Sequence, residues 1–210
     1  MVATAAMLLG ACSVITPAAD LRDSSTSATA EAVRDADALM PPAPYDQSVW
    51  SQAVSRAYAS AGGGIGAEAW LRRRMEQRTP GERLAVIMGV DDVIVQTHFG
   101  GLGTLVPQSV RFVREAHALG YAVFFVTGRT WSDGLGQVES LLARRHVPAG
   151  AFFAPPVGST DEATAKAKCR ATIQQEGYTL AVSVAADGAS FVGSPSAQLA
   201  IRLPDFAKRT

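Results

Sequence analysis

The sequence predicts a three-layer, Rossmann-like α/β fold, in which a parallel sheet carries helices on both faces. Residues 84–90 form a continuous apolar run rich in β-branched side chains, which is typical of a strand buried on both faces of a parallel sheet. Strand and helix patterns alternate from there to the end of the chain, as parallel sheets with crossover helices require. Gly120 and Gly177 each follow a helical segment and precede a strand, the usual place of a C-cap glycine.

The elements can be placed in order from periodicity and from turn residues. Trp50, Val54 and Tyr58 recur at helical spacing and predict the first of two helices in an N-terminal helical extension. Pro107 is suited to the first turn of a later helix. The predicted helices are 47–61, 67–78, 107–119, 133–145 and 160–176; the predicted strands are 84–90, 121–126, 151–153, 178–185 and 198–203; residues 96–106 are predicted as a glycine-rich loop.

The length and composition of the chain indicate one ordinary domain with additional terminal segments. The chain has 210 residues, of which 48% are hydrophobic, and a formal net charge of zero. This length and composition suffice for one substantial core, which we assign to residues 46–210. A neutral balance gives no electrostatic reason to expect a nucleic-acid partner.

The first 45 residues have the composition of a leader and a linker. Residues 1–12 are apolar and uncharged and end in Leu9-Gly10-Ala11-Cys12, which resembles a bacterial lipobox with Cys12 as the lipidated residue. No Lys or Arg precedes the apolar run, so an upstream start or an accidental match stays open. Residues 13–45 are rich in Ala, Ser, Thr, Asp and Pro, which predicts a flexible linker. A lipid on Cys12 would tether the domain to the membrane at the bacterial cell envelope; secretion is the alternative.

Asp91 and Asp92 follow the central strand directly. Two adjacent carboxylates at a strand end commonly form a turn or cap a helix. The same position is also the edge at which open α/β sheets bind ligands. Local sequence alone leaves both interpretations open.

Three segments in a fixed order carry a family resemblance: 84–92 (LAVIMGVDD), 107–130 (PQSVRFVREAHALGYAVFFVTGRT) and 166–184 (KAKCRATIQQEGYTLAVSV). Together they resemble the haloacid dehalogenase superfamily, and within it the acid phosphatase branch of bacterial lipoprotein phosphatases and plant vegetative storage proteins. The resemblance implies a phosphomonoester hydrolase fold with an aspartate nucleophile, a second aspartate as acid/base, and Mg²⁺. The short loop at 96–106 then implies a minimal cap and an open site.

Carried over by position, the resemblance gives several site residues. Asp91 falls on the acid/base position and Thr127, in Thr127-Gly128-Arg129, on the phosphoryl-binding position. Lys166 falls on the phosphate-binding lysine, with Lys168 as a second choice. These positions imply a phosphate-containing small molecule as ligand.

The positions that depart from the family pattern are the ones that carry its catalytic chemistry. Gly89 occupies the nucleophile position, and Val93 replaces the threonine of the same motif. In the fourth motif the Gly-Asp pair becomes Ala185-Ala186, and Ser190 replaces the later aspartate. Asp187, one residue late, is the only carboxylate left there, so Asp91 and Asp187 would form at best a weak Mg²⁺ site. Lys166 is then expected to face a phosphate without carboxylate partners.

Three hypotheses follow from this pattern. The first is a catalytically impaired relative that acts as a binding or structural protein at the envelope. The second is a residual acid phosphatase with an atypical site; taking Asp91 as the nucleophile would, however, put Val93 at the acid/base position. The third is a surface lipoprotein in which the fold has been kept for stability alone.

Overall fold

A computed structural model describes residues 46–129, 133–154 and 161–205. The predicted leader, lipobox and linker lie outside the described residues, so the assignment of Cys12 stays a prediction. Among the helices of the three described ranges, none is both long and apolar enough to cross a membrane.

The predicted three-layer, Rossmann-like α/β fold is confirmed by a five-stranded parallel sheet of order β3-β2-β1-β4-β5. The strands are β1 (Arg83–Met88), β2 (Ala122–Val126), β3 (Phe152–Phe153), β4 (Tyr178–Ala185) and β5 (Leu199–Arg202). Because all strands run in one direction, they all end at one edge, the carboxyl edge, and all begin at the opposite edge, the amino edge.

The central strand β1 is buried on both faces, as its unbroken apolar sequence predicts. Leu84, Val86 and Met88 belong to the larger core cluster on one face of the sheet. Ala85 and Ile87 belong to a smaller cluster on the other face. This alternation follows from the two-residue period of a strand.

Helices cover both faces of the sheet. Their bounds are α1 (Gln47–Ser60), α2 (Ala67–Glu76), α3 (Thr97–Gly100), α4 (Pro107–Ala118), α5 (Leu135–Arg144) and α6 (Glu162–Gln175), with 3₁₀ turns at Gly101–Gly103 and Gly188–Phe191. Side chains of α1, α2, α4 and α5 enter the larger cluster. Cys169 and Ile173 of α6 enter the smaller one. The first two helices are the predicted N-terminal extension.

Strand β4 contains one extra residue. Ala85 of β1 pairs with Leu180, but the next residue, Val86, pairs with Val182. Ala181 is therefore a β-bulge, which leaves two residues of β4 opposite one residue of β1. Leu180 packs in the smaller core cluster, whereas Ala181 and Val182 both belong to the larger one.

The prediction of a plain loop over 96–106 was wrong in one respect, because this stretch contains α3 and a 3₁₀ turn. Residues 94–106 form an arm after β1 that is closed at its base by two backbone bonds, Gln96 N to Thr104 O (2.8 Å) and Val106 N to Ile94 O (3.0 Å). The ring of Phe99, within α3, lies against Trp50 of α1 at a centroid distance of 5.6 Å. This long-range contact helps to hold a turn that local sequence does not predict.

Candidate functional site

The strand order reverses direction at the centre of the sheet. From β1 the chain adds β2 and β3 on one side and then β4 and β5 on the other. Ligands of open α/β sheets bind at such a reversal, at the carboxyl edge. A crevice of about 420 Å³ lies at this place and is lined by six of the residues singled out from the sequence: Gly89, Asp91, Asp92, Thr127, Lys166 and Asp187.

Gly89 lies in the crevice wall directly after β1. Its N–H donates to the carbonyl of Val184 in β4 (2.8 Å). A Cβ built on Gly89 would lie 3.0 Å from Cγ2 of Val93, which is tighter than ordinary contact. The predicted nucleophile position therefore has no side chain, and Val93 occupies much of the space that one would need.

Asp91 is held by an arginine and a threonine. The Nε atom of Arg129 donates to both carboxylate oxygens (2.9 and 2.8 Å), and its Nη2 lies 2.5 Å from Oδ1. The Thr97 hydroxyl donates to the same Oδ1 at 2.6 Å. Arg129 also donates to the carbonyl of Asp133 (2.7 Å). Asp91, which was predicted to occupy an acid/base position, thus joins the loops after β1 and β2 through a charge-assisted fork.

The Asp92 side chain stabilises the backbone turn that follows it. Its φ angle is 51°, in the left-handed region, and its Oδ1 accepts a hydrogen bond from the N–H of His98 in α3 (2.9 Å). Burial raises the pKa of the Asp92 carboxyl above its ordinary value, and the adjacent charge of Asp91 acts in the same direction. Of the two interpretations of the Asp-Asp pair, the turn and cap interpretation describes Asp92.

We expect Asp92→Asn to raise the free energy of unfolding at about pH 7 and to leave it unchanged near pH 3. The raised pKa means that the folded state disfavours the charged carboxyl, so this cost is absent at low pH and grows as the pH rises through the folded pKa. Asparagine keeps the acceptor and tolerates a positive φ. Urea unfolding across this pH range tests the prediction, and Asp92→Ala, which loses the cap, should lower stability by about 1 kcal/mol. A stabilisation by asparagine that is equal at both pH values would contradict it.

Lys166 is buried beside two carboxylates, so the expectation that it lacks carboxylate partners was wrong. Its Nζ atom lies 2.6 Å from Oε1 of Glu162 and 2.9 Å from Oδ2 of Asp187. Glu162 precedes Lys166 by one helical turn of α6, and this i,i+4 spacing was visible in the sequence. Asp187 follows β4 and reaches the same ammonium group from the other side of the crevice.

Asp187 also caps the 3₁₀ turn that follows it. The N–H of Ser190 donates to Oδ1 (2.8 Å), and the Ser190 hydroxyl lies 2.9 and 2.8 Å from the two oxygens. Burial by itself raises the pKa of Asp187, but the charge of Lys166 and these hydrogen bonds outweigh it and hold the pKa below its usual value. Asp187 is therefore a fixed anion.

Thr127 follows β2 directly, lines the crevice and is 2% exposed. Its Oγ1 accepts a hydrogen bond from the N–H of Arg129 (3.1 Å), which shapes the turn after the strand. Lys168, the second choice for the phosphate-binding lysine, does not line this crevice. Thr97 was missed by sequence reasoning, since nothing local marks it as a partner of Asp91.

The residues assigned to Mg²⁺ do not fit that ion as they are arranged here. Both oxygens of Asp91 accept from Arg129, and those of Asp187 accept from Lys166 and Ser190. Within the three described ranges, no group of three or more His, Cys, Asp or Glu side chains is placed to hold a metal ion. Mg²⁺ prefers oxygen ligands that are free to coordinate it.

The charge of the crevice is mainly negative. Six acidic side chains and two basic ones line it: Asp91, Asp92, Asp133, Glu162, Asp187, Asp205, Arg129 and Lys166. Both cations are already in ion pairs with carboxylates of the chain itself. An anionic ligand would have to compete with these internal partners.

Comparisons with known proteins add little to this picture. No protein-family model and no curated protein matches the sequence. Among solved structures, the chain is similar to one from the "Structure of the Pnkp1/Rnl/Hen1 RNA repair complex", with a TM-score of 0.43 and 13% identity over 54% of this chain and 39% of that chain. Function therefore has to be inferred from this chain's own residues.

Proposed function

We propose that this chain is a catalytically impaired relative of the haloacid dehalogenase acid phosphatases, acting as a binding or structural protein at the cell envelope. The observation that carries the proposal is Gly89, which leaves the predicted nucleophile position without a carboxylate. A covalent aspartyl mechanism needs that carboxylate to accept the phosphoryl group.

The neighbouring groups support the same proposal. Asp91 is the nearest carboxylate along the chain, but its oxygens are engaged by Arg129 and Thr97. An acid/base residue must be able to exchange a proton with substrate or water. A substrate would have to displace the guanidinium of Arg129 before it could reach either oxygen of Asp91.

A phosphate-containing small molecule is the ligand that this site would take. Thr127 and Lys166 line the same crevice. Its other described cation, Arg129, is held by Asp91, so Lys166 is the cation that a phosphate could use. Of the two carboxylates on Lys166, the Glu162 side chain is 57% exposed, whereas Asp187 is held by Ser190 as well. Phosphate binding would therefore proceed by displacement of Glu162.

The location at the envelope depends on residues 9–12, the lipobox-like stretch ending in Cys12. A lipid there would hold the domain at a membrane surface through the linker. Fractionation of cells that produce the full chain or Cys12→Ala tests this part, because loss of the lipid should move the protein from the membrane fraction to the soluble fraction. Equal partition of the two proteins would remove the anchor from the proposal.

The main experiment compares turnover with binding. We expect the purified chain with Mg²⁺ to show no hydrolysis of an aryl phosphate above the blank from acidic to neutral pH, and Asp91→Asn to behave identically. Inorganic phosphate binding, measured by calorimetry, should be abolished by Lys166→Met and become about two- to fivefold tighter in Glu162→Gln, because a competing surface ion pair is removed.

Each outcome separates the hypotheses. Turnover that Asp91→Asn abolishes would favour the residual phosphatase with an atypical site. Absence of both turnover and phosphate binding would favour a fold kept for stability alone. Binding that ignores Lys166→Met would show that phosphate does not use this crevice.

A further inference from the structure

A second and larger cavity, of about 550 Å³, lies at the amino edge of the sheet, opposite the crevice. We call it the amino-edge groove. Arg83, Ala122 and Tyr178, the first residues of β1, β2 and β4, line it. Cavities of 300 to 1,000 Å³ are typical of small-molecule sites.

Aromatic side chains form part of its wall. The rings of Phe124 and Tyr178 meet edge to face at a centroid distance of 4.9 Å. The guanidinium carbon of Arg83 lies 3.8 Å from the centroid of the Tyr178 ring. Tyr121, also in the wall, is fixed by a hydrogen bond from its hydroxyl to the carbonyl of Leu71 (2.8 Å). Phe124 and Tyr121 are buried (6% and 2% exposed), so they fix the wall from behind, and the partly exposed Tyr178 presents a preorganised ring to the groove.

The arginines of the groove differ from the cations of the crevice in their partners. Arg83 donates to the carbonyl of Glu176 (3.0 Å) and to the hydroxyl of Tyr178, both neutral acceptors. Arg78 is exposed at the rim. Among the described residues, neither arginine takes part in an ion pair.

Among the described residues, Glu82 is the carboxylate that lines the groove, and its negative charge is already balanced by an arginine outside the groove. It pairs with Arg74 and accepts a hydrogen bond from the N–H of Thr79 (3.1 Å). Hydrogen bonding to Arg74 holds the pKa of Glu82 below its usual value, so it stays a partner of that arginine. The two arginines of the groove are thus left with uncompensated positive charge beside an aromatic wall.

We propose that the amino-edge groove binds a small organic anion that carries a phosphate or carboxylate group on a planar aromatic ring. The anionic group would accept charge-assisted hydrogen bonds from Arg78 and Arg83. The ring would pack against the partly exposed Tyr178, which Phe124 supports from behind. Charge complementarity favours this groove over the crevice, whose two cations are paired internally.

Calorimetric titration of the full chain with 1-naphthyl phosphate tests the proposal. We expect saturable binding that weakens about tenfold or more in Arg78→Gln and in Arg83→Gln, because each removes a charged donor. Inorganic phosphate and neutral 1-naphthol should each bind at least about tenfold more weakly at this site, since phosphate has no ring for the aromatic wall and 1-naphthol has no charge for the arginines.

Matched variants distinguish binding in the groove from binding elsewhere on the chain. Arg56→Gln makes the same change of charge at an exposed position of α1 outside the groove and should leave binding unchanged. Ala149→Trp fills the groove from its exposed rim with all charges intact and should block binding. Thermal unfolding of every variant shows whether it is folded. If Arg83→Gln does not fold, Arg78→Gln and Ala149→Trp still test the proposal.

The opposite results are equally clear. No binding of 1-naphthyl phosphate to the folded chain overturns the proposal. Binding that survives Ala149→Trp and Arg78→Gln but is lost in Lys166→Met also overturns it, because the probe would then lie in the crevice. Lys166→Met therefore tests phosphate binding in the crevice, whereas Arg78→Gln and Ala149→Trp test binding of the aromatic anion in the groove.

Discussion

Trp50→Ala should lower the free energy of unfolding by about 4 kcal/mol. Trp50 has no exposed surface and belongs to the larger core cluster. Its ring packs on Phe99 of the arm, and its Nε1 donates to the carbonyl of Pro204 (3.4 Å). Truncation would leave a cavity where α1, the arm and the chain after β5 meet. Urea unfolding followed by circular dichroism measures the loss.

The matched control for this prediction lies in the same helix. Gln52 is exposed on α1, so Gln52→Ala should change stability by less than about 0.5 kcal/mol. Hydrogen exchange should also show faster exchange of the arm amides of Gln96 and Val106 in Trp50→Ala, because the arm loses the surface on which Phe99 packs. A loss below about 1 kcal/mol would mean that the site collapses around the alanine and that α1 does not support the arm.

Arg170→Met should lower the free energy of unfolding by about 3 kcal/mol. Arg170 is 2% exposed and donates to the carbonyls of Ser190 (2.7 Å), Val192 (2.5 Å), Gly193 (3.2 Å) and Pro195 (2.8 Å). Methionine keeps the volume of the stem but supplies no donor. The bond to the Ser190 carbonyl is buried and the other three are partly buried. A buried carbonyl that loses its partner costs about 1 to 3 kcal/mol, and the other three carbonyls add less because water can reach them; part of the total is recovered because the charge of Arg170 no longer has to be buried.

Lysine provides an informative comparison at this position. Arg170→Lys keeps the charge, but its ammonium group cannot reproduce a planar fork to several carbonyls, so we expect stability to be only partly restored. Exposed Arg56→Met is the control for the loss of an arginine and should be within about 0.5 kcal/mol of the original chain. If Arg170→Met is as stable as the original chain, the segment at 190–195 is held by its own turns and not by α6.

Much of the fold was predictable because it depends on local periodicity. The run at 84–90 has to be buried on both faces, and the segment at 107–118 has one apolar stripe and a Pro in its first turn, so each pattern has one low-energy solution. The arm was not predictable in this way. A cap from the Asp pair was one of the two interpretations of the sequence, and Asp92 does cap this helical turn. The packing of Phe99 on a helix some fifty residues earlier also holds the turn, and that contact leaves no local pattern.

The site shows the same division between local and distant information. Glu162 and Lys166 are one helical turn apart, so spacing alone could have predicted their pairing, although we did not predict it. The fork of Arg129 on Asp91 joins two different strand ends and needs the strand order to bring them together. Asp91, Lys166 and Asp187 were singled out from the sequence, whereas Glu162 and the way these charges pair with one another required the structure.

The bulge at Ala181 changes how positions along β1 and β4 correspond. Before it, partners in the two strands differ by 95 in residue number (Ala85 and Leu180); after it, they differ by 96 (Met88 and Val184). Continued past the strand ends, the second offset puts Asp187 level with Asp91, the position that residue 186 would occupy in an unbulged strand. The bulge, six residues before Asp187, therefore shifts the register by one, so that residue 187 and not residue 186 lies level with Asp91. Gapless alignment of this strand end with a relative that lacks the bulge would compare Asp187 with the wrong residue.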